Sequence, residues 1–434
     1  MFLLPGLIIL LYIAGSVLPD PYYKEMIRYI FSKQTDEGGY GLHIEGKATI
    51  FGTVLNYVAL RLLGISKDDA RMKRTIAFLK KEGGIAGLPQ WGKLYMCALG
   101  VMEYDCIDPI PPELWLLPNW FPLVQPGKWW CHCRVVYLPM SYIYGTKSSM
   151  PKNDLTRSLR DELFFGEYDK IDWNKYRSYV HPRDNYNPAT WIYKIFSWVL
   201  DKYEKYCCIG WLRKWANDNC MDHIKHEDDT TNHIDIGPVN KVLNMMSIYF
   251  AEGAESERYK KHFDRLFDYL WLSDDGMKMQ GYNGSQLWDT AFAIQAIIDS
   301  GKADTVQETV KQVYDFIDYT QVKDDVDNLE KYHRHISKGG WPFSTLDHGW
   351  PITDCTAEGM KAVLAIESLP FMKGKRIADQ RLFDAVNVLL SMHNKGGGWA
   401  TYELTRTHPI IEVINPAALY GEIMIDYQHT ECTS

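Results

Sequence analysis

A short polar run near residue 354 carries the side chains best suited to acid chemistry. It reads Asp354-Cys355-Thr356-Ala357-Glu358, so a carboxyl group stands beside a thiol and one helical turn before a second carboxyl group. Burial raises the pKa of a carboxyl group and hydrogen bonds to its anion lower it, so such an Asp can be tuned to donate a proton. The alternative is an ordinary helix N-cap, which on composition alone is the more frequent role of an Asp at this position.

Two other clusters contain residue types that bind zinc. One is Cys131-His132-Cys133, and the other is the series Cys220, His223 and His226. Neither has the paired ligand spacing of a structural zinc site. We therefore expect no metal. We also find no convincing glycine-rich loop that would hold a phosphate and no Ser/His/Asp order typical of a hydrolase.

The composition limits the classes of function. The 434 residues carry a formal net charge of −8, so the chain offers no general attraction to nucleic acid, and we expect no nucleic-acid partner. Apolar residues make up 46%, which is typical of a folded protein. Aromatic residues reach 14%, more than a core needs, which suggests a use for their π-faces. Nine cysteines spread along the chain favour a reducing compartment.

Repeated helical units must position these residues. Amphipathic helices are followed by glycine–aromatic turns, most clearly at Gly38-Gly39-Tyr40, Gly339-Gly340-Trp341 and Gly397-Gly398-Trp399. The spacing predicts a helix after Asp354 and another from Trp288. Repeated helical hairpins favour an all-α fold with α/α toroid (barrel) architecture, in which inner helices line a cavity.

Several segments carry more local predictions. The stripe Leu382, Phe383, Val386, Leu389 and Leu390 predicts one apolar helix face that packs on a neighbour. The charge-dense ranges 222–229 and 323–331 are interpreted as solvated loops. The uncharged range 1–19 is interpreted as a buried helix, because Pro5, Gly6 and Gly15 interrupt a membrane span. A polar turn at 273–280 is the expected domain boundary.

The acid run, together with several other blocks in the same order, resembles the oxidosqualene cyclases of the terpene cyclase family. These blocks are Phe2–Gly6, Trp130–Arg134, Met277–Gly281, Gly284–Thr290 and Glu431–Ser434. The glycine–aromatic turns are similar to the glutamine–tryptophan repeats of that family, although several copies lack the Gln or the Trp.

The resemblance implies roles for the acid run. Asp354 would be the general acid that protonates the epoxide of 2,3-oxidosqualene, and Cys355 and Cys432 would be the thiols that orient and acidify it. Glu358 would help to return a proton to the acid from solvent. The alternative for Glu358 is a helix-face carboxylate in a surface salt bridge. The implied chemistry requires no cofactor.

Matching positions also imply a lining for the cavity. Trp288, Phe343, Tyr402 and His132 would surround the substrate, where π-faces stabilise carbocations without adding a nucleophile. The alternative for each isolated aromatic residue is plain core.

Three residues resemble those of the family members that form cycloartenol, and not those that form lanosterol: Tyr282, His348 and Ile352. Tyr282, hydrogen-bonded with His132, and His348 would reposition the terminal base, while Ile352 would restrict movement of the substrate. Proton loss would then close a cyclopropane ring. The alternative for His348 is a satisfied buried histidine, and the alternative product is lanosterol.

Three further residues resemble those that line a channel in the family, through which the substrate passes from the membrane into the cavity. Cys133, Tyr137 and Ile423 match the constriction of this channel, and a substrate dissolved in lipid suits a monotopic enzyme. The family resemblance implies the cytosolic face of the endoplasmic reticulum membrane or a lipid droplet.

The resemblance extends over all 434 residues, but members of the family are longer. We therefore expect a nearly complete first barrel over 1–275 and a partial second barrel over 276–434, and expect the chain by itself to be inactive or unstable. A rival is a truncated, non-catalytic lipid-binding product. Less favoured are a bacterial-type squalene cyclase, which has a second Asp where Cys355 stands, and a prenyltransferase subunit, which needs zinc.

Overall fold

A computed structural model describes residues 1–121 and 124–434. The fold is all-α with the α/α toroid architecture that the sequence predicts. The first eight helices are α1 (Leu3–Ala14), α2 (Asp20–Ser32), α3 (Ile50–Leu62), α4 (Ala70–Lys81), α5 (Gln90–Ala98), α6 (Cys131–Thr146), α7 (Asp154–Leu163) and α8 (Trp191–Lys202). The others are α9 (Gly210–Thr230), α10 (Pro238–Glu252), α11 (Glu257–Asp264), α12 (Gln286–Asp299), α13 (Gln307–Thr320), α14 (Thr353–Glu367), α15 (Asp379–Ser391) and α16 (Thr430–Thr433). Short 3-10 turns connect many of them.

A single antiparallel hairpin interrupts the helices of the described ranges. Strand β1 (Leu270–Ser273) pairs with β2 (Gly276–Met279), so that Leu270 lies opposite Met279. The range 273–280, expected to be a polar turn, contains the turn of this hairpin between Ser273 and Gly276 and then strand β2. The division into domains at 275/276 stays a prediction.

Helix α1 is buried along almost its whole length. Leu7, Ile9 and Leu10 are inaccessible to solvent, which confirms the prediction of a buried helix at this end of the chain. Across the parts of the chain that the structure describes, no helix combines the length and apolar character that a membrane crossing requires.

The glycine–aromatic turns repeat as structures as well as sequences. Gly38, Gly339 and Gly397 have φ angles of 93°, 99° and 96°, a region that L side chains rarely adopt. In two of the turns the backbone N–H of the aromatic residue donates to a threonine hydroxyl of the following helix: Tyr40 to Thr53 at 2.9 Å, and Trp341 to Thr356 at 3.0 Å. These two turns therefore hold the first turns of α3 and α14 in the same way.

Glutamine also takes part in two of these turns. The amide of Gln34 donates to the carbonyl of Gly38 at 3.0 Å, and the amide of Gln321 donates to that of Gly339 at 2.8 Å. Gln321 stands 18 residues before its glycine, so local spacing gives no sign of this bond.

Helix α15 packs through a different face from the one predicted. Ala385 and Val388 are buried, whereas Phe383 is 62% exposed and Leu390 is 63% exposed. The close approach of Gly339 explains the choice, because a Cβ there would meet the backbone of Asp384 and the N atom of Ala385. The small face therefore lies inward, and the predicted stripe is buried only in part, because Leu382 packs against a core whereas Phe383 and Leu390 are exposed.

The charged range 222–229 is not a solvated loop. It forms the last part of α9, and Glu227 and Asp228 are buried. Their carboxylates have buried partners, described below, which a charge pattern cannot reveal. The other charged range, 323–331, is largely exposed and non-helical, as predicted.

Helix α6 joins two hydrophobic cores. Cys131 belongs to a core built mainly from 287–402, whereas Cys133 belongs to a core that begins at Leu4. The next residue, Arg134, donates to the Glu403 carboxylate at 2.6 Å, and both side chains are buried. The start of α6 thus lies where the two cores meet.

Candidate active site

The first turn of α14 carries the acid run. Ile352 occupies the N-cap and makes no side-chain cap, so Asp354 lies inside the helix and is not its N-cap. The hydroxyl of Thr353 donates to the carbonyl of Ala400 at 2.7 Å, which ties the first residue of the helix to that loop. The N–H of Ile352 donates to the carbonyl of Trp341 at 3.0 Å, which fastens the helix start to a glycine–aromatic turn.

Asp354 is half-buried between two thiol-bearing residues. Burial raises the pKa of its carboxyl group, while the backbone N–H of Cys355, which donates at 2.7 Å, and the Cys355 thiol lower it. Burial and the neighbouring Asp354 carboxylate raise the pKa of the Cys432 thiol to about 12. The structure therefore brings together Asp354, Cys355 and Cys432, with both thiols protonated at neutral pH.

Glu358 lies one turn along α14. It accepts a hydrogen bond from the Gln295 amide at 2.7 Å and forms an ion pair with Lys361 at 2.8 Å. The salt bridge named as the alternative therefore exists. Its charge adds to the factors that raise the pKa of Asp354, and its role in proton return stays a prediction.

A pair of tyrosines lies at the centre of the aromatic group. The hydroxyls of Tyr282 and Tyr402 are 2.6 Å apart. Burial raises the pKa of Tyr282 to about 12, and the nearby Cys131, Cys355 and Asp354 add to that rise. The tyrosines therefore stay protonated and lie within electrostatic range of the acid.

Two imidazoles flank these tyrosines. The ring of His132 meets the rings of both tyrosines edge-on. Its centroid lies 4.9 Å from that of Tyr402 and 6.4 Å from that of Tyr282. The predicted hydrogen bond between Tyr282 and His132 is wrong, because the Tyr282 hydroxyl pairs with Tyr402 instead. Burial lowers the pKa of His132 to about 3, so its ring is neutral.

His348 is fully buried, with its ring centroid 6.1 Å from that of Tyr282. Its Nε2 lies 3.2 Å from the carbonyl oxygen of Ile236, and burial lowers its pKa to about 4. A carbonyl only accepts, so in this contact Nε2 carries the proton. A second backbone hydrogen bond, with Trp350, also acts to raise the pKa of the ring against the effect of burial.

Phe343 and Trp288 extend the aromatic group. The rings of Phe343 and Tyr282 lie 5.0 Å apart, and those of Phe343 and Trp288 lie 6.1 Å apart. Backbone hydrogen bonds from the first turn of α12 hold this arrangement, because the N–H of Leu287 donates to the carbonyl of Ser344 and the N–H of Trp288 donates to the carbonyl of Phe343. The lining residues named from the sequence thus form one connected aromatic surface, with Ile352 buried nearby in the same core.

The three channel residues form a separate group in the other core. The sulfur of Cys133 lies 3.9 Å from the sulfur of Met424, the residue that follows Ile423. The hydroxyl of Tyr137 accepts a hydrogen bond from the Trp91 indole at 3.1 Å. All three belong to or pack on that core. Their role in substrate entry stays a prediction.

Sequence reasoning missed residues that hold the site from behind. The Asp426 carboxylate accepts the N–H groups of Thr401, Tyr402 and Glu403 at 3.2, 2.8 and 3.2 Å. These bonds fix the backbone of Tyr402. Asp426 stands 24 residues away, and no local pattern marks it. Arg134, by contrast, lay within a block already identified by resemblance.

Three possible metal ligands lie together, and none of them belongs to the two sequences considered for zinc. They are Asp228, Asp235 and His262, all buried. The Nζ atom of Lys241 lies 2.9 Å from His262 Nδ1, and Arg258 lies 3.4 Å from Asp228. These two cations balance the two carboxylates, so the cluster has no need of a metal ion.

Two family models match the chain. The squalene-hopene cyclase N-terminal domain matches residues 6–271, and the squalene-hopene cyclase C-terminal domain matches residues 284–434. The chain is 50% identical to a cycloartenol synthase of Dictyostelium discoideum, 45% identical to a lanosterol synthase of Mus musculus and 43% identical to a lanosterol synthase of Homo sapiens. Each match covers the whole chain but only 61%, 59% and 59% of the relative. The chain thus spans about 60% of the length of these curated relatives.

Proposed function

This chain belongs to the squalene-hopene cyclase family, and from that premise we propose that the protein cyclises 2,3-oxidosqualene to cycloartenol. The observation that carries the proposal is Asp354, half-buried in the first turn of α14 beside the protonated thiols of Cys355 and Cys432. An acid that must be neutral to act needs this kind of environment.

Asp354 would start the reaction by proton transfer. Its carboxyl proton passes to the epoxide oxygen, the adjacent C–O bond breaks, and the bonding pair stays on oxygen. The carbon left electron-deficient is attacked by the next double bond of the same substrate. The thiols of Cys355 and Cys432 stabilise the carboxylate that remains, and Glu358 would relay a replacement proton.

The aromatic surface suits the cations that follow. Trp288, Phe343 and Tyr282 present linked rings, and a cation is attracted to the face of each ring. The nearby rings of His132, Tyr282 and His348 are neutral, so these side chains neither repel the cation nor form an ion pair with it.

The product is decided where the last proton leaves. The hydroxyl pair of Tyr282 and Tyr402 lies between the rings of His132 and His348, and the neutral state of both imidazoles supports a part for this group in proton removal. We propose cycloartenol because Tyr282, His348 and Ile352 match that product and because a cycloartenol synthase is among the most similar relatives. Lanosterol is the second candidate, since two lanosterol synthases are nearly as similar.

An exposed aromatic patch supports a location at a lipid surface. It runs through α8 into the start of α9 and consists of Trp191, Ile195, Trp198, Val199, Tyr206, Ile209, Trp211 and Trp215, all 48–71% exposed. Lysines are interspersed, and Lys202 lies 5.6 Å from the Trp198 ring. Tryptophans and lysines on one face are typical of segments that lie in the headgroup region of a bilayer. We propose monotopic attachment through this patch. The choice of the endoplasmic reticulum or a lipid droplet rests on the family resemblance alone.

The test is a product assay. The complete native reading frame and the 434-residue chain would each be expressed in yeast lacking its own oxidosqualene cyclase, and the sterols analysed by mass spectrometry. Cycloartenol from the complete frame supports the proposal. Lanosterol would replace the product assignment, and the absence of any cyclised product would overturn the cyclase assignment.

A further inference from the structure

We infer that Glu227 is a positioning residue that fixes the orientation of His348 and thereby the site of the final proton loss. The inference rests on the proposed function, because His348 acts there on the product. Glu227 lies in the last turn of α9, in a charged range that the sequence suggests is solvated, yet it is only 5% exposed. Its carboxylate instead contacts the loop that contains Ile236 and the loop that contains Trp350, and through these loops it would act on His348.

The Glu227 carboxylate joins the two loops that meet at His348. Its Oε1 atom accepts the N–H of Ile236 at 3.1 Å and the indole N–H of Trp350 at 3.0 Å. The carbonyl of the same Ile236 receives the proton of His348 Nε2. Trp350 stands two residues after His348. Glu227 thus holds both the acceptor of the histidine and the loop that carries the histidine.

The acceptor loop is strained and held from several sides. Asn232, His233 and Asp235 have φ angles of 47°, 62° and 65°, which non-glycine residues seldom adopt. The Tyr269 hydroxyl lies 3.1 Å from the carbonyls of both Ile234 and Asp235, which share its one proton, and the Lys241 ammonium donates to the carbonyl of His233. Strained backbone persists when its surroundings over-determine it, and it is found at sites where position matters.

A counter-charge completes the bridge. The Arg334 guanidinium stacks over the Trp350 ring at 3.7 Å, lies 3.9 Å from Glu227 and donates to the carbonyl of Gly349 at 2.8 Å. A buried carboxylate that accepts two N–H groups and faces a guanidinium has little freedom to move.

The consequence for His348 is a choice of tautomer. While Ile236 holds its carbonyl in place, Nε2 keeps the proton. Without the Glu227 bridge, the Ile236 carbonyl and the Trp350 loop can shift, and the ring can turn or change tautomer. The His348 ring, whose centroid lies 6.1 Å from that of Tyr282, would then face Tyr282 differently, and the proton would be lost elsewhere on the cation.

The experiment compares four variants of the full-length protein. Glu227→Ala removes the carboxylate that accepts from Ile236 and Trp350. Trp350→Phe removes the indole N–H that donates to Glu227 and keeps an aromatic ring. Glu227→Gln retains an amide oxygen that can accept. The matched control is Asp184→Ala. Asp184 is also a buried carboxylate that accepts two N–H groups, in this case the backbone N–H groups of Ile50 and Phe51 at 2.7 and 2.9 Å.

The first readout is the ratio of cyclised products from 2,3-oxidosqualene. We expect Glu227→Ala and Trp350→Phe to raise the share of products other than the main one at least about fivefold, and Glu227→Gln to restore most of the parent ratio. Asp184→Ala should lower protein yield but leave the ratio unchanged. An unchanged ratio in both Glu227→Ala and Trp350→Phe would overturn the inference. If Glu227→Ala does not fold, Trp350→Phe decides.

The second readout does not depend on the proposed reaction. Nitrogen-15 NMR of histidine-labelled protein, with the His348 signal assigned from its loss in His348→Asn, reports the tautomer directly. We expect the Nε2–H form in the parent and a mixture in Trp350→Phe. A single Nε2–H form in both would overturn the inference even if the parent made no sterol, whereas failure of the parent to cyclise would count against the proposed function alone.

Discussion

The hydroxyl oxygens of Tyr282 and Tyr402 lie 2.6 Å apart, although the residues are separated by 120 positions in the chain. Tyr402 is buried, and Tyr282 is half-buried beneath the ring of Phe343. Each hydroxyl satisfies the other in surroundings that offer little water. The two halves of the aromatic surface are therefore tied together by one short hydrogen bond.

A double-mutant cycle tests this pair. Tyr282→Phe or Tyr402→Phe alone leaves one hydroxyl without its partner, so each should lower the free energy of unfolding by about 1–2 kcal/mol. The double variant leaves no orphaned hydroxyl and should cost less than the sum of the two. Urea unfolding would measure all three, and strictly additive losses would show that the bond is not formed.

Asp354→Asn should abolish proton donation. We expect the rate of oxidosqualene consumption by the full-length protein to fall by about 10²–10⁴-fold, the range of general acid catalysis, with little change in stability. The exposed Asp304→Asn is the control and should keep the parent rate. Retention of activity in Asp354→Asn would exclude it as the acid.

The rate should also depend on pH in a defined direction. Burial raises the pKa of Asp354, and the reaction needs its neutral form. The rate therefore falls as pH rises above that pKa and levels off below it. A pH–rate profile of the full-length protein checks this, and a rate that rises with pH over the same interval would contradict an acid role for Asp354.

Glu403 predicts a pH dependence of stability. Burial would raise its pKa, but the guanidiniums of Arg134 and Arg406 prevail and lower it to about 2 from an ordinary 4.5. A carboxyl group with a depressed folded-state pKa stabilises the fold above pH 4.5, and this contribution is lost as pH falls from 4.5 toward 2. The loss is on the order of 3 kcal/mol.

Glu403→Gln should remove this pH dependence. Other buried acids titrate too, some with the opposite sign, so the relevant quantity is the difference between parent and variant in unfolding free energy. That difference should shrink below pH 4.5 and stay constant above it. The exposed Glu45→Gln serves as the control and should follow the parent at every pH.

The aromatic patch predicts binding to lipid vesicles. Replacing Trp191, Trp198 and Trp211 by Ser removes three indoles that are 59–71% exposed, and each should weaken partitioning by about tenfold. Flotation with neutral and anionic vesicles measures the effect. Trp120→Ser removes an equally exposed indole outside the patch and should change little. If Trp120→Ser lost as much vesicle binding as the triple variant, the patch would not be the membrane-binding surface.

The sequence predicted the helical class, the glycine–aromatic turns and the acid run, because these depend on local spacing or on resemblance. It failed where distant partners decide. The buried face of α15 follows from the close approach of Gly339, and the burial of Glu227 follows from an indole 123 residues away. The pairing of Tyr282 with Tyr402, and not with His132, likewise depends on how Asp426 holds a loop. None of these partners is visible in a window of neighbouring residues.

The first turn of α6 has a consequence for how the chain comes apart. Cys131 and Cys133 anchor it in two cores, Trp130 donates its N–H to the carbonyl of Met424 at 2.8 Å, and Arg134 holds Glu403. Neither core can melt without breaking this turn and exposing a buried charge in the other. The two halves should therefore unfold cooperatively, with a single calorimetric transition whose van't Hoff and calorimetric enthalpies agree.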